Sequence, residues 1–164
     1  LSTRTTGFDD ARALLADRPD SAGNDARKIM DTELAIIAEK LQLRLPFKRG
    51  EKNDARMANE FAERIIADAN KAFQKDEGSG YKAHSQVAQA MEQAKRLLVS
   101  WGNRGSHSHD IVRREAEKLI EACEGALSAF NCDRCGKEVW YASAGGSGDL
   151  QCQCSHLRWR TQKT

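Results

Sequence analysis

Proline and aromatic residues are scarce in this chain. Two prolines and six per cent Phe, Trp and Tyr leave little material for an extensive sheet and fit a mostly helical body. No run of apolar residues is long enough to cross a bilayer, which excludes a membrane-spanning helix. No secretory leader is visible at the N-terminus. A strong excess of one charge is missing too. The formal net charge of +2 does not demand a polyanionic partner. There is no Gly-x-x-x-x-Gly-Lys-Ser/Thr loop, so any P-loop ATPase unit would lie upstream or be absent. The chain starts at Leu1 instead of methionine, as a piece of a longer polypeptide would.

What is present suffices for one core. Of 164 residues, 40% are hydrophobic and 30% charged, enough for a domain and a small appendage. Asp9 or Asp10 could cap a short helix carrying Phe8, Ala11, Leu14 and Leu15, within a flexible segment over 1–23. The run from Arg18 to Gly23 reads as a break. Ile29, Met30, Leu34, Ile37, Ala38 and Leu41 then return at helical spacing, predicting a long helix from Asn24 or Asp25. After Leu45-Pro46-Phe47-Lys48-Arg49-Gly50, a second helix starts near Asn53 or Asp54, with a seam of Met57, Phe61, Ile65, Ala69 and Phe73. Asp76 to Gly80 reads as a flexible loop between helices. Two further helices are expected over about Lys82–Val99 and Ile111–Phe130. The expectation is mainly α: a helical bundle over 24–130, with a small β zinc ribbon over 131–164.

That ribbon rests on cysteine spacing. Cys132-x-x-Cys135-Gly136 can bring two thiolates from one tight turn onto one ion, and Cys152-x-Cys154 follows a Gly-rich loop with a second pair. Four thiolates make a closed tetrahedral site for structural Zn²⁺ and leave no open position for catalysis. His156 is an alternative ligand in place of Cys152 or Cys154. Paired short spacings without a secretory leader suggest a reducing compartment, the cytoplasm. Val139-Trp140-Tyr141 and Leu157 to Arg160 have strand-like composition. Arg134, Lys137, Arg158, Arg160 and Lys163 would give the ribbon a basic edge. Trp140, Tyr141 and Trp159 are the available stacking faces for nucleic acid.

A second constellation lies between two helices, in the stretch from Trp101 to Asp110. Arg104 and His109 stand as Arg-x-x-x-x-His, with Asn103 before the arginine and His107 nearby. Arginine can hold a phosphate bidentately and histidine can carry a proton near neutrality. On one surface they could cleave RNA without a metal, His109 acting as acid or base and Arg104 stabilising the phosphoryl charge. His107 would be a second proton carrier. The same residue types also serve as ordinary caps and turns: Ser106, Ser108 and Asp110 suit a helix N-terminus. His84, after the Gly-Ser loop, reads as a surface residue.

Taken in order, Leu45 to Glu51, Trp101 to Asp110 and Phe130 to Gly136 give the chain a family likeness. It resembles the C-terminal helical region of large P-loop ATPases of bacterial anti-phage defence, the type that includes anticodon nucleases. It is also similar to HEPN domains, dimerising helical modules with an Arg-x-x-x-x-His ribonuclease motif. The resemblance implies a HEPN-like bundle, a homodimer, and an upstream ATPase region or partner chain of a defence complex. It also implies the motif roles for Arg104 and His109. In this sequence Gly105 follows the arginine, where such motifs usually carry a polar residue. Three functions follow as expectations: a non-catalytic dimerisation or docking module, a metal-independent ribonuclease acting on tRNA or other RNA, and a nucleic-acid-binding zinc ribbon.

Overall fold

The computed structural model describes residues 3–46, 58–103, 105, 107–144 and 148–161, the side chains of 3–6 excepted. Its helices are α1 (Thr3–Ala13), α2 (Pro19–Lys40), α3 (Ala58–Ala72), α4 (Gln86–Gly102) and α5 (His109–Ser128). Short strands follow two of them: β1 (Phe73–Asp76), β2 (Tyr81–Ala83), β3 (Ala142–Ser143), β4 (Leu150–Gln151) and β5 (Leu157–Trp159). The chain is mainly helical with one small antiparallel sheet, as the composition implies.

Helix α2 packs on α3 and α5, and α4 packs on the same two, so these four close a ring around a common core. Met30, Leu34, Ile37, Ile65, Met91, Leu119 and Ile120 fill it, each about fully buried. Every such side chain removed from water stabilises the fold by about 1.5–3 kcal/mol. Helix α1 lies against α2 and α5, burying Phe8 and Ala11. The N-terminal segment therefore contributes to the core.

The sequence misplaces one helix start. Arg18 to Gly23 is not a break: α2 begins at Pro19, which sits in its first turn. Proline is tolerated there because its missing N–H would have no helical partner and its φ already suits the helix. Gly23 lies inside α2 for a packing reason. A Cβ at that position would overlap Trp101 Cζ2, so only glycine lets the α4 indole pack this close to the α2 backbone. Trp101 Nε1 donates to Asn24 Oδ1 at 3.1 Å and fixes the ring. The predicted start of α3 at Asn53 or Asp54, and Met57 of its seam, lie outside the described residues. Asp31 reaches across from α2 and accepts a hydrogen bond from Ala58 N at 2.7 Å.

A larger departure is the hairpin. Phe73 ends the apolar seam of α3, yet it opens β1, and Asp76 to Gly80 is a hairpin turn between β1 and β2 instead of a flexible loop. Gly78 and Gly80 take φ of +90° and +127°, conformations open mainly to glycine. Asp76 Oδ1 accepts from Gly78 N at 2.9 Å inside the turn. The sheet order is β2-β1-β5-β4-β3, so the hairpin from the middle of the chain extends the C-terminal sheet. Phe73 pairs with Trp159 in register. Their rings meet edge-on at 6.0 Å, and Phe130, just beyond α5, meets Phe73 at 6.3 Å. His84 stacks on Phe73 at 5.1 Å and is half-buried, so it is not the surface residue its sequence context suggests. This aromatic seam fastens the C-terminal segment to the bundle. Of the two predicted ribbon strands, Leu157–Trp159 forms, whereas Val139-Trp140-Tyr141 lies before β3.

Candidate metal centre

Two tight turns carry the four clustered cysteines. In the first, Cys132 N donates to Lys137 O and Gly136 N donates to Cys132 O, both at 2.9 Å. Gly136 has φ +71°, which lets the chain reverse immediately after Cys135. In the second, Cys152 N donates to Leu157 O and Ser155 N to Cys152 O, both at 3.1 Å. Here Ser155 takes the left-handed conformation, φ 63°, without being glycine. The aromatic seam and the β4–β5 pairing press the two turns together.

The result is a compact thiol cluster. The Sγ atoms of Cys132, Cys135, Cys152 and Cys154 all lie within 4.8 Å of one another. Cys132 Sγ to Cys154 Sγ is 3.6 Å and Cys152 Sγ to Cys154 Sγ is 3.7 Å. A tetrahedron with metal–sulfur bonds of ~2.3 Å has edges of about 3.8 Å, so the cluster could hold a metal ion. Backbone donors already face the sulfurs: Arg134 N points at Cys132 Sγ (3.4 Å) and Leu157 N at Cys152 Sγ (3.2 Å). Such donors orient ligands and soften thiolate charge. Cys132 and Cys152 are buried, Cys135 is half-buried and Cys154 exposed, which leaves one side open for an ion to enter.

The electrostatics also call for a cation. Burial pushes the Cys152 thiol up to about 12, against the Leu157 N–H that favours its thiolate. Burial likewise raises Cys132. For Cys135 burial again acts upward, but backbone N–H groups of Lys137 and Cys154 and the neighbouring thiols prevail and bring it to about 6. Four thiols this close cannot all ionise without a positive charge among them, and a coordinated cation would supply it. The fifth cysteine, Cys123, is buried in the bundle and its thiol is pushed up to about 12 by burial alone, so it behaves as a core residue.

His156 is not among the converging ligands. Its ring is 4% exposed and turns toward Asp133, with Nε2 3.5 Å from Asp133 Oδ1. Lys75 of β1 reaches the same carboxylate at 3.6 Å, a further tie between hairpin and knuckle.

The Trp101–Asp110 stretch resolves differently. Arg104 lies outside the described residues. Asn103 ends α4, its N–H donating to Val99 O and Ser100 O, and it lines a cavity of about 210 Å³ with Arg27, Asp31 and Asn59. His107 and His109 line a separate open groove of about 430 Å³ with Asp17, Arg18 and Asp20. The structure thus brings the two histidines together and sets Asn103 in another cavity. His109 is the first residue of α5, behind the cap Ser108, whose Oγ accepts from Ile111 N at 3.5 Å. Its Nε2 lies 2.9 Å from Ala16 O, which ties α5 to the connection between α1 and α2.

The expected basic edge is partly present. Arg134 and Lys137 are exposed, and Lys163 lies outside the described residues. Of the three stacking faces, Trp159 is 2% exposed and Trp140 is half-buried against Phe130, so Tyr141 alone is presented. Comparison with protein families, curated proteins and solved structures finds no match to this chain. No described helix is long and apolar enough to cross a membrane.

Proposed function

We propose that this chain is a non-catalytic assembly module, a helical bundle closed at one end by a zinc-bound ribbon, that dimerises or docks onto a partner. The observation that carries this reading is the engagement of His109. The imidazole that would move a proton in a nuclease is hydrogen-bonded to the Ala16 carbonyl and serves as a tie between helices. The metal centre supports it as well. Four thiolate ligands satisfy a tetrahedral ion and leave no position for substrate or water. Zinc is the ion we assign, because four thiolates in tetrahedral array suit it and a closed site suits a structural role. The family resemblance suggests the setting: the C-terminal part of a defence-associated ATPase, in the cytoplasm, as a homodimer.

Mass and metal analysis of the purified chain tests both halves. One zinc per chain and a mass of two chains at micromolar concentration are expected. A metal-free monomer would overturn the proposal. The enzymatic alternative is a metal-independent ribonuclease using Arg104 and His109, and the shared groove of His107 and His109 favours it. RNA cleavage in the presence of a chelator, abolished by His109→Ala, would establish that alternative. Cleavage unchanged in that variant would end it.

A further inference from the structure

Where α2, α3 and β5 end, a cavity of about 160 Å³ is lined by Arg44, Arg64 and Arg160, with Gln42, Asp68 and Thr161. The arginines come from three separate stretches, the connection after α2, α3 and the residue after β5, so no local sequence pattern accounts for their convergence. Arg44 and Arg160 are exposed and Arg64 is half-buried, and like charges gathered around one small space repel. The cavity lining holds one carboxylate, Asp68. It is 6% exposed and accepts from Arg64 Nε at 3.0 Å. Among the described residues, no ion pair engages Arg44 or Arg160.

Helix ends do not explain the arginines. Carbonyl groups at a helix C-terminus attract cations, and α2 and α3 both finish here. Of those carbonyls, Ile37, Ala38 and Glu39 of α2 and Ala72 of α3 already accept from backbone. Gln42, in the left-handed conformation at φ 55°, lets Leu43 N reach back to Ala38 O at 2.9 Å, while Leu41 N donates to Ile37 O. At α3, Arg160 N donates to Ala72 O at 2.9 Å. Backbone thus caps much of both helix ends, and among the described residues no hydrogen bond runs from a guanidinium of Arg44 or Arg160 to the remaining carbonyls.

We propose that this cavity binds a phosphoryl group, held by the forks of Arg44 and Arg160 and by the outer nitrogens of Arg64. Planar guanidinium groups match the oxygen spacing of phosphate and give short, charge-assisted bonds. Pockets that engulf a whole drug-sized ligand span ~300–1,000 Å³, so this one admits a terminal group and leaves the remainder of its bearer outside. That remainder would meet the sheet, where Arg158 lies over the Tyr81 ring at 4.0 Å, two residues before Arg160. The bearer is either a small phosphate compound or the phosphorylated end of a nucleic-acid strand.

Calorimetric titration of the intact zinc-loaded chain in chloride buffer tests this. Inorganic phosphate is expected to bind saturably at one site and to raise the melting temperature. Arg44→Gln and Arg160→Gln should each weaken it about tenfold, the worth of one charge-assisted hydrogen bond. Arg44→Lys, which keeps charge but not the fork, should fall between. Lys118→Gln on α5 should leave it unchanged. Melting curves in chloride alone check that each variant folds, and Arg44→Gln, on an exposed turn, decides if Arg160→Gln does not. Competition by a 5′-phosphorylated trinucleotide, but not by its 5′-hydroxyl counterpart, would identify the strand end. Phosphate binding without competition from either would identify a small compound. Absence of saturable phosphate binding, or equal affinity in the arginine variants, would overturn the proposal.

Discussion

Two stretches of this chain promised chemistry, and the fold treats them in opposite ways. Cys132 to Cys154 is drawn together until four sulfurs share one small volume. Trp101 to Asp110 is drawn apart: its asparagine faces one cavity, its histidines another, and its tryptophan goes into the core. The difference lies in range. A Cys-x-x-Cys turn fixes two ligands by local backbone geometry alone, before any tertiary structure forms. An arginine and a histidine five positions apart across a helix boundary are placed only by the packing of the helices on either side. That packing used the stretch for joinery, with Trp101 against Gly23 and His109 on Ala16.

The sharpest test of the contrast removes the proposed zinc. Structural zinc in small ribbons contributes on the order of 10–16 kcal/mol, comparable to or above the ~5–15 kcal/mol stability of a whole domain. Chelation, or Cys132→Ser, is expected to melt residues 131–161 and loosen β1, because β5 pairs with β1. Circular dichroism with hydrogen exchange would show it. Retention of native protection after chelation would place the cluster among incidental thiols.

Next in size is Gly23→Ala. The added methyl would overlap the Trp101 indole and force α2 and α4 apart. A loss of about 2–3 kcal/mol in denaturant melts is expected, typical of overpacking. Gly125→Ala, in α5 with open space at the same atom, should do the reverse and stabilise by about 1 kcal/mol. Equal effects of the two would dissolve the packing account of the joint.

His109→Ala removes one hydrogen bond on an exposed surface, so a loss of about 1 kcal/mol is expected. Under the module reading, the mass of the assembled chain should be unaffected. The smallest effect concerns the fork between Arg12 of α1 and Glu124 of α5, two bonds of 2.9 Å. A side-chain hydrogen bond from Arg12 holds the Glu124 carboxyl below its usual range. A depressed acid contributes stability above its unfolded pKa of ~4.3, and that contribution disappears as pH falls through the lower folded value. Both side chains are about 40% exposed, 40% and 43%, so solvent screening limits the contribution to about 0.5 kcal/mol. Glu124→Gln should flatten the acid limb of the stability–pH curve by that amount.

The sequence disclosed the apolar seams and the thiol ligands because each depends on spacing within one element. It did not disclose the hairpin, since Phe73 falls on a helical step from Ala69 and only tertiary pairing with Trp159 turns it into a strand. Pro19 and Gly23 looked like punctuation because their usual local meaning is a break. Here one starts the helix and the other makes room for an indole. The arginine cavity left no trace in the sequence, its members being scattered over three separate stretches.

The sheet order carries a consequence for how the molecule comes into being. Strand β1 leaves the ribosome well before β5, its partner in the sheet. Until then the hairpin has an open hydrogen-bonding edge, and Phe73 lacks the indole that covers it, the kind of site at which nascent chains stick to one another. If the four thiols take up an ion, its supply would govern the yield of correctly formed protein as well as its endurance, since the strand that seals that edge follows directly on the turn of Cys152 and Cys154.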